Sequence, residues 1–162
     1  MQRAYFYQID QYGGLHHEGV IQDDADFLTF FLQRLQCNDS GRHTNYPYLS
    51  RCGSEMNFVQ SAGAPIILRR LENGLLHYSH GRIAIDFDVR MLSVDPHGNL
   101  LHCVGAGLQG RIAGPALQDL AECIRSSGDG YLMRWQGEER LLPAAPPYPL
   151  QGPEPAAAPI ST

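Results

Sequence analysis

From Pro65 to Val104 the chain reads as short runs of alternating apolar and polar residues cut by turn signals, and this cadence limits what it can become. Pro65 to Leu71 and Leu75 to Ser79 are joined by Glu72-Asn73-Gly74, and Asn-Gly between two such runs predicts a tight hairpin. Arg82 to Phe87 sets Ile83, Ile85 and Phe87 against polar or small neighbours. Arg90 to Val94 and Asn99 to Val104 flank Asp95-Pro96-His97-Gly98, a further turn. No helix-length pattern separates these runs. The rhythm of a parallel βαβ sheet is missing, and an antiparallel meander is expected.

The flanks add two helices and two hairpins. Tyr5, Tyr7 and Ile9 alternate with Phe6, Gln8 and Asp10, Gly13-Gly14 turns, and Leu15 to Val20 returns. Asp23, Asp24 and Asp26 then place negative charge at a helix start. Phe27, Leu28, Phe31, Leu32 and Leu35 form its apolar stripe, and Asn38-Asp39-Ser40-Gly41 stops it. Tyr46-Pro47-Tyr48-Leu49 is extended, Cys52-Gly53-Ser54 turns, and Glu55 to Gln60 is a short strand. A second helix opens at Gly114-Pro115, with Leu117, Leu120, Ala121 and Ile124 as its buried stripe, and Gly128 closes it. Tyr131 to Trp135 turns at Gln136-Gly137 and returns to about Leu142.

The expected class is therefore α+β, an antiparallel meander with two helices in two small β-rich subdomains. Residues 1–64 form the hairpin, helix and strand unit, and residues 65–142 the meander, second helix and last hairpin. Seven of the eleven prolines lie in the final twenty residues. Residues 143–162 are accordingly expected to be a disordered Pro/Ala-rich tail that forms neither helix nor ladder.

Charge and side-chain chemistry exclude several classes. The net charge of −5 argues against a nucleic-acid partner and an anionic membrane surface. All twelve basic residues are arginine, so Schiff-base, Walker-type and Ser-Lys chemistry are absent. The first residues carry no secretory pattern and no apolar run reaches membrane-spanning length, which leads to the expectation of a cytoplasmic protein with reduced cysteines. His16-His17-Glu18, His77-x-x-His80 and His102-Cys103 do not have the spacing of a metal site, and no metal or cofactor is expected.

One segment gathers polar chemistry: Ser50-Arg51-Cys52-Gly53-Ser54-Glu55-Met56-Asn57-Phe58, with Arg42 before it. Glu55 and Asn57, two apart on a strand, face the same way and form a donor-acceptor pair for a ligand. Cys52, after a tight turn, is alternatively an accessible thiol with its pKa lowered by Arg42 or Arg51. A purely architectural reading buries Cys52, pairs Arg42 with Glu55 across a hairpin and gives Asn57 to loop backbone. Trp135, the one tryptophan, reads as cover over the core and is kept beside the other four as a candidate binding side chain.

These residues resemble a known family. Tyr5-Phe6-Tyr7, the Gly13/Leu15 turn, Phe27-Leu28-x-Phe30-Phe31-x-x-Arg34-Leu35, Gly41-Arg42, Tyr48-Leu49-Ser50, Pro65 and Arg134-Trp135-Gln136-Gly137 occur in the same order there. So does Cys52-Gly53-x-Glu55-x-Asn57-Phe58, its most specific signature. The family is an uncharacterised one of small proteins shared by bacteria and animal mitochondria, and the resemblance covers about residues 4 to 142. The chain departs from it at His16-His17-Glu18, where Asp-Asp is expected, and lacks the targeting extension of the animal members, which fits a bacterial protein. The order of elements is also similar to a second bacterial family of unknown function, with two β-rich subdomains and adaptor-like members. Neither resemblance implies a reaction.

The expected function is thus a non-enzymatic binding or adaptor module, recognising a protein or small ligand through a groove at Arg42, Cys52, Glu55 and Asn57. The alternative is a small enzyme with Cys52 as reactive thiol or Glu55 as general base, and Arg42 holding an anionic substrate.

Overall fold

Two six-stranded sheets, a three-stranded one and two helices make up residues 2–146, the part that the computed structural model describes. In the first sheet β1 (Arg3–Ile9), β2 (Leu15–His17) and β3 (Val20–Ile21) step outward to one edge. The helix α1 (Ala25–Gln33) crosses over. The strands β4 (Leu35–Cys37), β5 (Tyr48–Cys52) and β6 (Glu55–Ser61) then step inward from the other edge, until β6 lies parallel to β1.

The second sheet has the same connectivity. Its strands β7 (Ile66–Glu72), β8 (Leu75–Tyr78) and β9 (Ala84–Asp86) step outward, and a single 3₁₀ turn (Val89–Met91) stands where α1 stood. β10 (Leu92–Val94), β11 (Leu100–Gly105) and β12 (Leu108–Ile112) return, and β12 lies parallel to β7. Then α2 (Gly114–Ala121) leads into an antiparallel sheet of β13 (Ile124–Ser127), β14 (Gly130–Trp135) and β15 (Glu138–Leu141).

The fold is α+β with mostly antiparallel pairing, as the sequence indicates. One feature corrects the meander: each large sheet has a parallel pair at its centre. An outward triplet followed by an inward triplet brings the first and last strands together in the same direction, without a βαβ unit.

Local chemistry explains most element boundaries. Asp24 caps α1, its carboxylate accepting the N–H groups of Asp26 and Phe27 at 2.9 and 3.4 Å. Leu28, Phe31 and Leu32 are the buried face. The helix ends at Gln33, earlier than the Asn38 stop expected from sequence, because Leu35 is buried on β4 opposite Ser50. Asn73 and Gly74 both have positive φ, 53° and 76°, which the expected hairpin turn requires. Pro115 opens α2 as expected, but Ala116 and Leu120 are its buried residues, Leu117 is 38% exposed and Ile124 belongs to β13.

Besides β4 and β13, whose first residues were expected in helices, β12 is a strand missed from sequence. Gly105-Ala106-Gly107 is a turn, and Leu108-Gln109-Gly110-Arg111-Ile112 pairs on both sides. A Cβ at Gly110 would stand 2.7 Å from Leu68 Cδ1, so the bare glycine lets β12 press against β7.

One apolar core runs through both large sheets and both helices, with Tyr7, Ile9, Phe31, Val59, Leu68, Leu92, Ile112, Leu120 and Met133 among its members. Each such side chain contributes about 1.5–3 kcal/mol by leaving water. Polar links reinforce it: Arg82 N–H donates to Thr29 Oγ1 at 2.7 Å, joining the second sheet to α1. Leu49, Met56 and Phe58 form a separate small cluster on the outer face of the first sheet.

The tail expectation is corrected at its start. Val94 N–H donates to Pro143 O at 2.9 Å and Ala145 N–H to Val94 O at 2.8 Å, so this segment adds a short parallel bridge to β10. Proline lacks a donor, but its carbonyl still accepts. The expected disorder of residues 147–162 lies outside the described residues. Among the described residues, no helix is long and apolar enough to cross a membrane.

Candidate binding site

Strand parity decides which side chains meet. Tyr7 and Val59 are opposite each other in the β1–β6 register and both point into the core. Tyr5 and Asn57, and Arg3 and Glu55, therefore share that inner face, and on β5 so do Ser50 and Cys52, which pair with Asn57 and Glu55. Three of the expected site residues, Cys52, Glu55 and Asn57, thus come together, joined by Tyr5 and Tyr7 from β1.

The inner face is organised from its buried end. Ser50 donates its hydroxyl hydrogen to Phe31 O at 2.7 Å, which ties β5 to α1. Cys52 Sγ lies 3.5 Å from Ser50 Oγ. Since the serine hydrogen is already engaged, the thiol is the donor in that contact. Asn57, 1% exposed, donates from Nδ2 to Ser50 O at 3.1 Å, and its Oδ1 is buried without a partner among the described residues. The tie is to strand backbone, not to the loop backbone that the architectural reading gives to Asn57.

Where the cover of α1 ends, Cys52 and Glu55 are half-buried. Glu55 has no ion pair or hydrogen bond among the described residues, and the expected pair with Arg42 does not form. Burial pushes the Tyr7 phenol above its usual pKa, and the nearby Glu55, Cys52 and Tyr5 groups push it further. Tyr7 is also stacked on His17, ring centroids 4.5 Å apart, while Tyr5 meets His17 edge-on at 6.0 Å.

Arg42 stands on the opposite face. It is in the loop after β4, and Nη1 lies 3.6 Å from Met56 Sδ, on the outer side of the first sheet. Asn38 shapes this loop by donating from Nδ2 to the carbonyls of Arg42 and Tyr46 at 2.9 Å. His43 then packs on Phe6 and Phe58 at 4.9 and 4.6 Å. Arg51 alternates to the outer face as well and pairs with Asp39 at 3.0 Å. Neither guanidinium is beside the Cys52 thiol, so the cation on which the thiol alternative depended is missing from that face.

Trp135 is remote from all four. On β14 it is half-buried and meets Phe87 edge-on at 5.1 Å, where it covers the core. No group of three or more His, Cys, Asp or Glu side chains among the described residues is placed to hold a metal ion. Sequence reasoning missed Tyr5 and Tyr7 as site members. Their strand parity was visible, but the parallel neighbour that places them beside Asn57 was not.

The family model for a domain of unknown function, DUF4505, matches residues 1–113. The chain belongs to the DUF4505 family. The match ends at Ala113, immediately before α2, so the two six-stranded sheets are the part that DUF4505 describes. The DUF4505 chain is also similar in fold to two solved structures. A DUF1285 family protein from Shewanella baltica OS155 is 18% identical, with a TM-score of 0.60 over 73% of this chain and 91% of that one. A DUF1285 family protein from Silicibacter pomeroyi DSS-3 is 13% identical, with a TM-score of 0.62 over 89% and 84%. At these identities the likeness shows the fold alone. The expectation of an uncharacterised family holds, and DUF4505 carries no activity to transfer.

Proposed function

We propose that the chain is a non-enzymatic binding module that receives an alkylammonium or guanidinium group of its ligand against Glu55. The observation that carries this reading is a half-buried carboxylate that makes no ion pair among the described residues, even with its register neighbour Arg3, on the strand face it shares with Tyr5 and Tyr7. A carboxylate and an aromatic wall are the two features that recognise such cations. Asn57 positions the site by holding β5 to β6, and Cys52 lines it. In this reading the run Cys52-Gly53-x-Glu55-x-Asn57-Phe58 is a signature because it builds this face. Arg42 and Trp135 take no part in it.

The test is a ¹H–¹⁵N NMR titration with butylammonium, using butanol as the uncharged control. Saturable shifts confined to residues 3–7 and 52–57, lost in Glu55→Gln with the rest of the spectrum unchanged, support the reading. Equal shifts with butanol, or none that saturate, overturn it.

A further inference from the structure

The two large sheets meet at a seam, apart from the Glu55 face, beside which a second cavity opens. At this seam the β1–β2 turn leans on β7. A Cβ at Gly13 would stand 2.9 Å from both Ile67 Cγ1 and Ser79 Oγ, and Arg111 Nη2 donates to Gln11 O at 2.9 Å. Beside this contact lies a cavity of about 460 Å³, a volume typical of small-molecule sites.

Its lining has two parts. One wall is small and apolar, formed by the Ala62-Gly63-Ala64 link between β6 and β7 together with Ile67. The other is polar and brings Asp95, Asn99 and Arg111 to the same space. Asp95 is satisfied internally: Oδ1 accepts the N–H groups of His97 and Asn99, and Oδ2 accepts from Asn99 Nδ2, all at 2.9 Å. Arg111 is not. It makes no ion pair among the described residues, and its one hydrogen bond leaves the rest of the guanidinium fork free.

We propose that this cleft binds a small monocarboxylate, with Arg111 holding the carboxylate and Ala62, Ala64 and Ile67 covering a compact apolar body. The planar guanidinium matches a carboxylate in bidentate fashion. Arg111 is the one permanently charged cation in a lining that also holds His97 and the Asp95 carboxylate, which favours a single negative charge over a phosphate dianion. The lining residues come from four separate parts of the chain, so the site exists only once both sheets have closed.

The experiment is an NMR titration of the full chain with 3-phenylpropionate, with 3-phenylpropanol and inorganic phosphate in parallel. Phenylpropionate produces saturable shifts at residues 62–64, 67 and 99, and Arg111→Gln weakens its binding at least tenfold. Because Arg111 also ties down the Gln11 turn, Gly63→Leu is the second variant. Gly63 lies on the cleft wall and no atom lies within 4 Å of a Cβ built there, so a leucine adds bulk at the wall without displacing a neighbour. It abolishes binding while the chain stays folded. Equal binding of the alcohol, displacement by equimolar phosphate, binding that survives Gly63→Leu, or no saturable shift overturns the proposal.

Discussion

His16 donates from Nε2 to Asp10 Oδ2 across 2.7 Å, and the same carboxylate takes the N–H groups of Tyr12 and Gly14 on Oδ1 at 2.8 and 3.0 Å. The β1–β2 turn is thereby closed around one charged group. Because a carboxylate only accepts, Nε2 carries a hydrogen, and the buried Nδ1 has no partner among the described residues. Burial works against the Asp10 charge, but the hydrogen bonds from His16, Gly14 and Tyr12 outweigh it and hold the carboxyl below its usual 3.8.

Asp10→Asn is expected to destabilise the fold by about 1–2 kcal/mol at pH 7, a charge-assisted set discounted for the solvent that still reaches the carboxylate. The wild-type contribution is complete above the unfolded value of 3.8 and is lost as pH falls through the lower folded value. Urea unfolding at pH 7 and pH 3 checks this. Identical stabilities of the two chains at pH 7 would remove the carboxylate from the account.

His102 supplies a second pH dependence, of opposite chemistry. It is 2% exposed, donates from Nδ1 to Cys103 O at 2.7 Å and accepts Asp88 N–H on Nε2 at 3.1 Å, which fixes it as the neutral ring. Burial pushes its pKa below 6.5, more than Asp88 and the backbone carbonyl restore, and burial lowers that of His80 as well. The unfolded chain takes up protons first as pH falls below 6.5, so stability drops from there down to the folded values. The slope is at most about 1.4 kcal/mol per pH unit for each histidine. His102→Leu is expected to be less stable at pH 8 yet to show a shallower fall from pH 6.5 to 5. An unchanged slope assigns the dependence elsewhere.

Most of the strand content was readable before the structure, because period-two alternation and turn dipeptides such as Asn73-Gly74 are local signals. What failed was neighbourhood. Alternation sets the face of a side chain but not which strand lies beside it, so the parallel pairing of Arg3–Ile9 with Glu55–Ser61 left no trace in the sequence. Glu55 and Asn57 were found by their spacing, whereas Arg42, a loop residue with no strand parity, was placed on the wrong face. Leu35 kept the helical period and was misread for that reason. Gly110 made a buried strand look like a loop. The seam cleft, assembled from distant segments, has no local signature at all.

Removal of residues after Leu142 is expected to cost more than removal after Pro146. Only the shorter chain loses the two backbone bonds to Val94, worth about 1–2 kcal/mol together, or about 2–8 °C in Tm. Calorimetry of the two truncated chains makes the comparison, and equal midpoints would show that the bridge contributes nothing.

Gly13→Ala is expected to destabilise by about 2–4 kcal/mol, since φ of +87° strains any L side chain and the new methyl collides with Ile67 and Ser79. Gly63→Ala, in open space, serves as the control and should be near neutral. Chemical unfolding of both chains distinguishes a steric seam from a loose one.

The pairing of the first strand of each sheet with its last has a kinetic consequence. During synthesis Arg3–Ile9 must wait for Glu55–Ser61 to leave the ribosome before its central neighbour exists, and Ile66–Glu72 waits in the same way for Leu108–Ile112. Closing such distant partners is slow compared with zipping hairpins, which leaves the nascent apolar edges uncovered in the interval. The chain should therefore depend on chaperone shelter during synthesis more than its modest length suggests.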